Sequence, residues 1–382
     1  MLFYLTIILF LVVGVFIFDI RKQSENKSFF IFICFLLLTV LSSVRYRVGG
    51  DSLSYEDYYD QMPELSNYIE YLDFNPLAYQ PLWLLLVAFC KTVSDEYFLF
   101  QIVHALIFNI SLCFFIQKYT PYIFSTLLLM FCSLMYFYYS FEIQRESLAL
   151  AVFFFNIENL EKKRWFRYYI LAVISFMFHI SAVFLFILPF FIKVELTKKV
   201  IFGLFFFSVV LFFLKGIIFS LITPFLILEA MKNKAEVYSE MTFSLTGFLA
   251  FFSVRVLLLM PFLLYRLSLK VKQFAWLDFS FLFLSILSQY FVGFERLLNY
   301  LFLIYFILFI NFIYDCKSLE FDLFLKKIVI GISIIHIFFI LDFKLFLRNP
   351  AGQHYYSLFY PYETIFFPVD NREREDYYFN IW

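Results

Sequence analysis

The sequence predicts an all-α polytopic membrane protein, and three observations carry that expectation. Of its 382 residues, 63% are hydrophobic and only 16% are charged, whereas soluble domains carry about 25% charged residues. Apolar runs of about 20 residues recur along the whole chain, each long enough to cross a hydrocarbon core of about 30 Å. Those runs, such as LFLIYFILFI at 301–310, are apolar throughout, which excludes the polar–apolar alternation of a membrane β-barrel. About 10–12 transmembrane helices are expected from runs of this length.

Taken in order, the first run, LFYLTIILFLVVGVFIF, lacks a basic leading region and a small-residue cleavage site, so it reads as a retained helix rather than a signal peptide. Further spans are expected at 28–44, 97–117, 121–140, 144–160, 199–222, 242–265, 274–292, 296–314 and 326–346. Residues 81–91 are short for a crossing, and 168–192 carries His179 near its middle. The basic segments RKQSENK (21–27), EKKRWFR (161–167), KVELTKK (193–199) and RLSLKVK (266–272) are expected to face the cytoplasm. Residues 45–78 hold two basic and seven acidic residues (Asp51, Glu56, Asp57, Asp60, Glu64, Glu70 and Asp73) and form the large outer loop. Keeping all four basic segments inside requires 81–91 and 168–192 each to dip in and return. Making both full crossings strands EKKRWFR outside.

Residues 1–346 are therefore expected to form a single transmembrane domain, followed by an aromatic, mixed-charge outer tail at 347–382. The tail's rings suit the lipid interface better than stacking on sugars. A formal net charge of zero gives no basic field for nucleic acid. The cysteines Cys34, Cys90, Cys113, Cys132 and Cys316 share no metal-like spacing and read as small apolar fillers.

Charges at membrane depth are costly and mark internal cavities, and four clusters stand out. The first is RYRVGGDSLSY (45–55), in which Gly49 and Gly50 permit tight turns whose N–H groups form an anion nest. Arg45 and Arg47 are candidates to grip a phosphate in bidentate fashion, with Asp51 orienting an arginine or accepting a proton. The plainer reading is a helix end whose arginines snorkel to headgroups. The second is FEIQRESLALA, where Glu142, Arg145 and Glu146 share one helix face, as a buried network or a structural ion pair. The third is FMFHISAVFLF, where His179 is either a satisfied core histidine or a proton carrier. The fourth is FVGFERLLNYLF, where Arg296, Asn299 and Tyr300 share a face beside Glu295, as a binding cluster or an interfacial anchor.

In their order, these clusters resemble the EpsG family of Wzy-type polysaccharide polymerases. Arg45-Tyr46-x-x-Gly49-x-Asp51-x-x-x-Tyr55 is similar to the family's first outer motif. Arg145-Glu146-Ser147-Leu148-Ala149 resembles its R-Q-S-L-A helix start, with Glu146 in place of glutamine. His179-x-Ser181-Ala182 matches its H-x-S-A, and Glu295-Arg296-x-x-x-Tyr300 its E-R-x-x-x-Y. The resemblance implies a helical architecture related to GT-C glycosyltransferases, in the bacterial cytoplasmic membrane, with its active site facing outward. It implies a substrate of undecaprenyl-diphosphate-linked oligosaccharide, and a flippase and a chain-length regulator as pathway partners. The growing glycan would leave its lipid diphosphate for a hydroxyl of the incoming unit, inverting the anomeric centre.

The residue types suit that chemistry. Preorganised arginines stabilise charge gathering on a leaving diphosphate, with Arg45, Arg47, Arg145 and Arg296 as candidates. His179 is the first choice of proton acceptor, then Asp51 or Glu142. Gly49, Glu146, Glu295 and Tyr300 complete the expected substrate contacts. No metal or other cofactor is expected, because arginines can neutralise the diphosphate and no DxD-like or His-rich cluster is present. Competing readings are a lipid-linked oligosaccharide flippase or transporter, for which the related halves common in transporters are missing, and an O-antigen ligase-like transferase.

Overall fold

Helix is the dominant structure throughout, as the long apolar runs require. The computed structural model describes residues 2–74, 80–222, 245–269, 271, 273–314, 320–349 and 352–379. Cys316, the end of the 45–78 loop, Lys270 and Lys272 of the last basic segment, the start of the 242–265 run and the final three residues lie outside these. Among the described residues, extended pairing is limited to isolated bridges. Five helices are long and apolar enough to cross a membrane: Leu2–Ile20, Tyr97–Tyr119, Thr246–Ser268, Glu295–Tyr314 and Leu323–Phe346. A bent pair, Ile123–Cys132 with Met135–Glu142, makes a sixth if counted as one span, and shorter apolar helices accompany them. The protein is an all-α polytopic membrane protein.

The chain divides into two compact units, one of Met1–Phe186, Phe306–Tyr314 and Leu341–Trp382, the other of Ile187–Tyr305 and Asp315–Ile340. The first unit opens with α1 (Leu2–Gly14), α2 (Lys27–Ser43), α3 (Gly50–Gln61), α4 (Tyr68–Phe74), α5 (Pro81–Val93) and α6 (Tyr97–Tyr119). It continues with α7 (Ile123–Cys132), α8 (Met135–Phe137), α9 (Gln144–Glu161) and α10 (Trp165–Phe176). Central α6 packs on both α2 and α9, and α9 packs in turn on α10. Helices in lipid gain little from hydrophobic burial against one another, so tight packing and interhelical hydrogen bonds hold them together, at about 1 kcal/mol per bond. Tyr136 donates to the Asn109 side-chain oxygen (3.0 Å) and Asn109 donates to Thr39 (3.3 Å), tying α8, α6 and α2. At Gly14 a β-carbon would lie 2.4 Å from the Phe124 ring, so the absence of a side chain is what lets α1 approach α7.

Three runs depart from straight crossings, each for a local reason. The expected span at 121–140 bends by 82°, because Leu134 adopts a left-handed conformation (φ 52°) that interrupts the i→i−4 ladder. The 168–192 run also breaks. Helix α10 ends at Phe176, His179 is extended, and a 3₁₀ turn at Ile180–Val183 leads into a new helix, Phe184–Phe191. The 81–91 run forms the 13-residue α5, which at 1.5 Å per residue is only about 20 Å long.

The tail folds back onto the first cluster. Tyr46 N–H donates to Glu363 (2.9 Å), Gly49 N–H to Leu358 (2.8 Å), and Ile365 N–H to Val44 (3.0 Å). Its helix Arg372–Phe379 packs on α3. Tyr377 is buried in the protein rather than in a lipid belt, while Phe366 and Phe367 remain exposed.

Candidate functional site

The strand of backbone between α2 and α3 carries the first cluster, and its shape depends on two residues with positive φ, Arg47 (50°) and Gly49 (99°). A β-carbon at Gly49 would also meet the Phe141 side chain at 2.9 Å. The amide of Gly49, expected in an anion nest, is instead taken by the Leu358 carbonyl.

Arg45 is fully enclosed (0% exposed). Its guanidinium lies 4.7 Å from the centre of the Phe141 ring and donates from Nη1 to the Ser42 carbonyl. Arg47 is held by two carboxylates, Glu56 (2.8 Å) and Glu375 (3.2 Å). Beside them is a cleft of about 380 Å³ bordered by Arg45, Arg47, Tyr97 and the carboxylates Glu56, Asp60, Asp95 and Glu96.

The second cluster opens α9. Half-buried Arg145 stacks over the buried Trp83 ring at 5.5 Å, and its charge acts on the Tyr55 hydroxyl. That interaction joins the helix start to the last residue of the first cluster. Glu146, 1% exposed, has a carboxylate oxygen 3.9 Å from Nδ1 of His179. The break after α10 is what places His179 there. Its Nδ1 accepts from Ser181 N–H (3.2 Å) and lies 2.7 Å from the Ser181 hydroxyl, so the ring caps the 3₁₀ turn. Glu142 is buried at the end of the segment before α9, and accepts from the Tyr355 hydroxyl at 3.1 and 3.3 Å. Asp51, exposed in the first turn of α3, carries its charge within electrostatic reach of Glu142.

The first three clusters thus converge in one compact unit. The fourth belongs to the other unit. There Glu295 and Arg296 are exposed at the start of Glu295–Tyr314, Asn299 and Tyr300 are buried, and Glu295 pairs with Arg255 at 2.7 Å.

Sequence reasoning did not single out several residues that complete the first unit's polar centre. Gln144 accepts from Tyr97 (2.9 Å), and His104 lies 2.8 Å from the Ser147 hydroxyl. Arg374, 1% exposed, donates to the carbonyls of Ser357 (3.1 Å) and Arg47 (2.9 Å) and pairs with Glu363 (2.8 Å). Burial pulls the Arg374 pKa down, against the raising effect of Glu363. The one visible hint was the mixed-charge stretch REREDYYF, which has no reason to be buried unless it meets partners. Among the described residues, no group of three or more His, Cys, Asp or Glu side chains is arranged to hold a metal ion.

A multi-pass helical chain with arginines and carboxylates gathered at helix starts and breaks defines an integral membrane protein built around a buried polar centre. The chain belongs to the EpsG family, whose sequence model matches residues 28–364. Members are Wzy-type polymerases, which makes the protein a polysaccharide polymerase of the glycosyltransferase type. No curated protein and no solved structure matches the chain.

Proposed function

We propose that the protein joins oligosaccharide repeat units carried on undecaprenyl diphosphate at the outer face of the bacterial cytoplasmic membrane. The observation that supports this most is the convergence of three clusters in one unit, where Arg145 stacks over Trp83 and acts on Tyr55, and its neighbour Glu146 comes within 3.9 Å of His179. In this reading the glycan's anomeric carbon leaves its lipid diphosphate and bonds to an acceptor hydroxyl in one inverting displacement. Negative charge then grows on the departing diphosphate, where a fixed guanidinium lowers the barrier. Arg145 is the first candidate for that role and Arg296 the second. Arg47 is already balanced by two carboxylates, and Arg45 is enclosed. The cleft beside Arg47, with four carboxylates to two arginines, suits sugar hydroxyls, which donate hydrogen bonds to carboxylates, better than a diphosphate. Membrane lipid surrounds the chain, and a flippase and chain-length regulator of the same pathway are its proposed partners.

Purified protein in detergent, given synthetic undecaprenyl-diphosphate-linked repeat units with chelator present, tests this reading. A ladder of products from wild type that Arg145→Ala and Arg296→Ala both lose supports it. Absence of a ladder together with lipid movement across proteoliposomes supports a transporter instead.

A further inference from the structure

The cluster around Glu142 contains Lys344, from the last turn of Leu323–Phe346, and Tyr355 from the tail that follows. Tyr355 donates its hydroxyl to both carboxylate oxygens (3.1 and 3.3 Å). The Lys344 ammonium sits 4.7 Å from the ring centres of both Tyr138 and Tyr355, sandwiched between them, and its charge reaches Glu142. Burial, and next the Glu142 carboxylate, hold the Tyr355 hydroxyl well above its ordinary pKa, so it stays a donor. The other ionisable groups facing this carboxylate are Asp51 and Tyr377, and Asp342 faces Lys344.

The alternatives for proton acceptor are less well placed. The Nδ1 lone pair of His179 is committed to Ser181 N–H, which assigns the ring proton of the neutral form to Nε2 and makes that nitrogen a donor. Asp51 is exposed in the first turn of α3, where the helix dipole and water both satisfy its charge. Glu142 is shielded from water, and a carboxylate oxygen has lone pairs beyond those one tyrosine occupies.

Resting on the polymerase reading above, we propose that Glu142 accepts the acceptor hydroxyl's proton and that Lys344 and Tyr355 are its positioning residues. As the acceptor oxygen bonds to the anomeric carbon, the bond from that carbon to the diphosphate oxygen breaks. The hydroxyl proton passes to Glu142, and the electron pair leaves on the lipid diphosphate. The Lys344 charge favours the ionised carboxylate against the effect of burial, and the Tyr355 hydrogen bond fixes which way it points.

Removing either support favours the protonated form of Glu142, so the base becomes active only at higher pH. Polymerisation rates are measured from pH 5 to 9 for wild type, Lys344→Met, Tyr355→Phe and Lys344→Arg. The acid limb is expected to move up by about one pH unit in the first two variants, an activity loss of about tenfold at low pH that disappears at high pH. Lys344→Arg is expected to track wild type. In parallel, labelling of Glu142 by an apolar carbodiimide, which reacts with the protonated carboxyl, is followed by mass spectrometry across the same range. Its midpoint is expected to rise in Lys344→Met whether or not that variant is active. An unchanged midpoint, or an unchanged acid limb with normal ladders, overturns the positioning roles. A wild type that makes no ladder while its labelling midpoint still depends on Lys344 overturns the polymerase reading and the proton-acceptor role with it, but not the contact.

Discussion

Arg374 and Arg47 stand 327 positions apart in the chain, and Nη1 of the first donates to the main-chain carbonyl of the second at 2.9 Å. The same guanidinium pairs with Glu363 and bonds the carbonyls of Ser357 and Pro361. One buried cation thus pins the first cluster to the tail. Arg374→Met is expected to lower stability by about 3 kcal/mol, since removing one partner leaves a buried carboxylate and several carbonyls unsatisfied. Thermal unfolding of the purified protein checks this, and a midpoint equal to wild type would show that the pin is dispensable.

Gly49→Ala is expected to destabilise by about 1–3 kcal/mol, because its φ of 99° is unfavourable for alanine and the new β-carbon would meet Phe141 at 2.9 Å. Adding Phe141→Gly should recover only part of the loss, since it removes the Phe141 β-carbon that makes the contact but not the backbone strain. Full recovery in the double variant would assign the whole effect to crowding.

Arg145→Ala is expected to reduce the polymerisation rate by about 10²–10³-fold, the loss typical of one charge-stabilising donor. Arg145→Lys should restore only part of it. Lysine keeps the charge but not the planar group that stacks on Trp83. Equal rates for lysine and arginine would make Arg145 a simple point charge.

His179→Asn is expected to keep activity within about tenfold of wild type, because asparagine retains an acceptor able to cap the turn at Ile180–Val183. His179→Ala should cost about 1 kcal/mol of stability through loss of that cap. A loss of rate by His179→Asn as large as that of Glu142→Gln would return the proton-acceptor role to the histidine.

Orientation is testable by labelling. In a cysteine-free background, Asp370→Cys is expected to react with an impermeant maleimide added outside spheroplasts, and Lys163→Cys only after permeabilisation. Both positions are exposed, so the reverse pattern would place the tail and the first cluster inside.

Much of the helical plan was legible in the sequence because lipid leaves a backbone few options. A long uncharged run such as 97–117 has little alternative to helix, and the structure gives Tyr97–Tyr119. The breaks were harder to see. Nothing in LLLMFCSLMYF advertises that Leu134 will turn left-handed, since leucine ordinarily avoids that conformation. The His179 break carried a partial signal, a polar residue in the middle of an apolar run. At the site, the arginines and carboxylates announced themselves through the cost of charge at membrane depth. What they would touch did not. Arg45 and Arg47 read as an open pair, yet one is enclosed and the other spoken for by Glu56 and Glu375. Tyr355, Lys344 and Arg374 escaped notice because their partners lie far away in sequence, and short-range spacing holds no trace of such pairs.

The tail's return to Arg47 also sets an order of events during synthesis. A ribosome adding about 5–20 residues per second reaches position 374 roughly 15–65 s after position 47, given the 327-residue gap. For that interval the earlier helices can already sit in the bilayer while Glu142 has neither Tyr355 nor Lys344 beside it. On the roles proposed for these residues, a nascent chain would stay idle until the segment carrying Lys344 and Tyr355 emerges. Translation itself would then act as the timer, and a product terminated before Lys344 would occupy the membrane without the proposed activity.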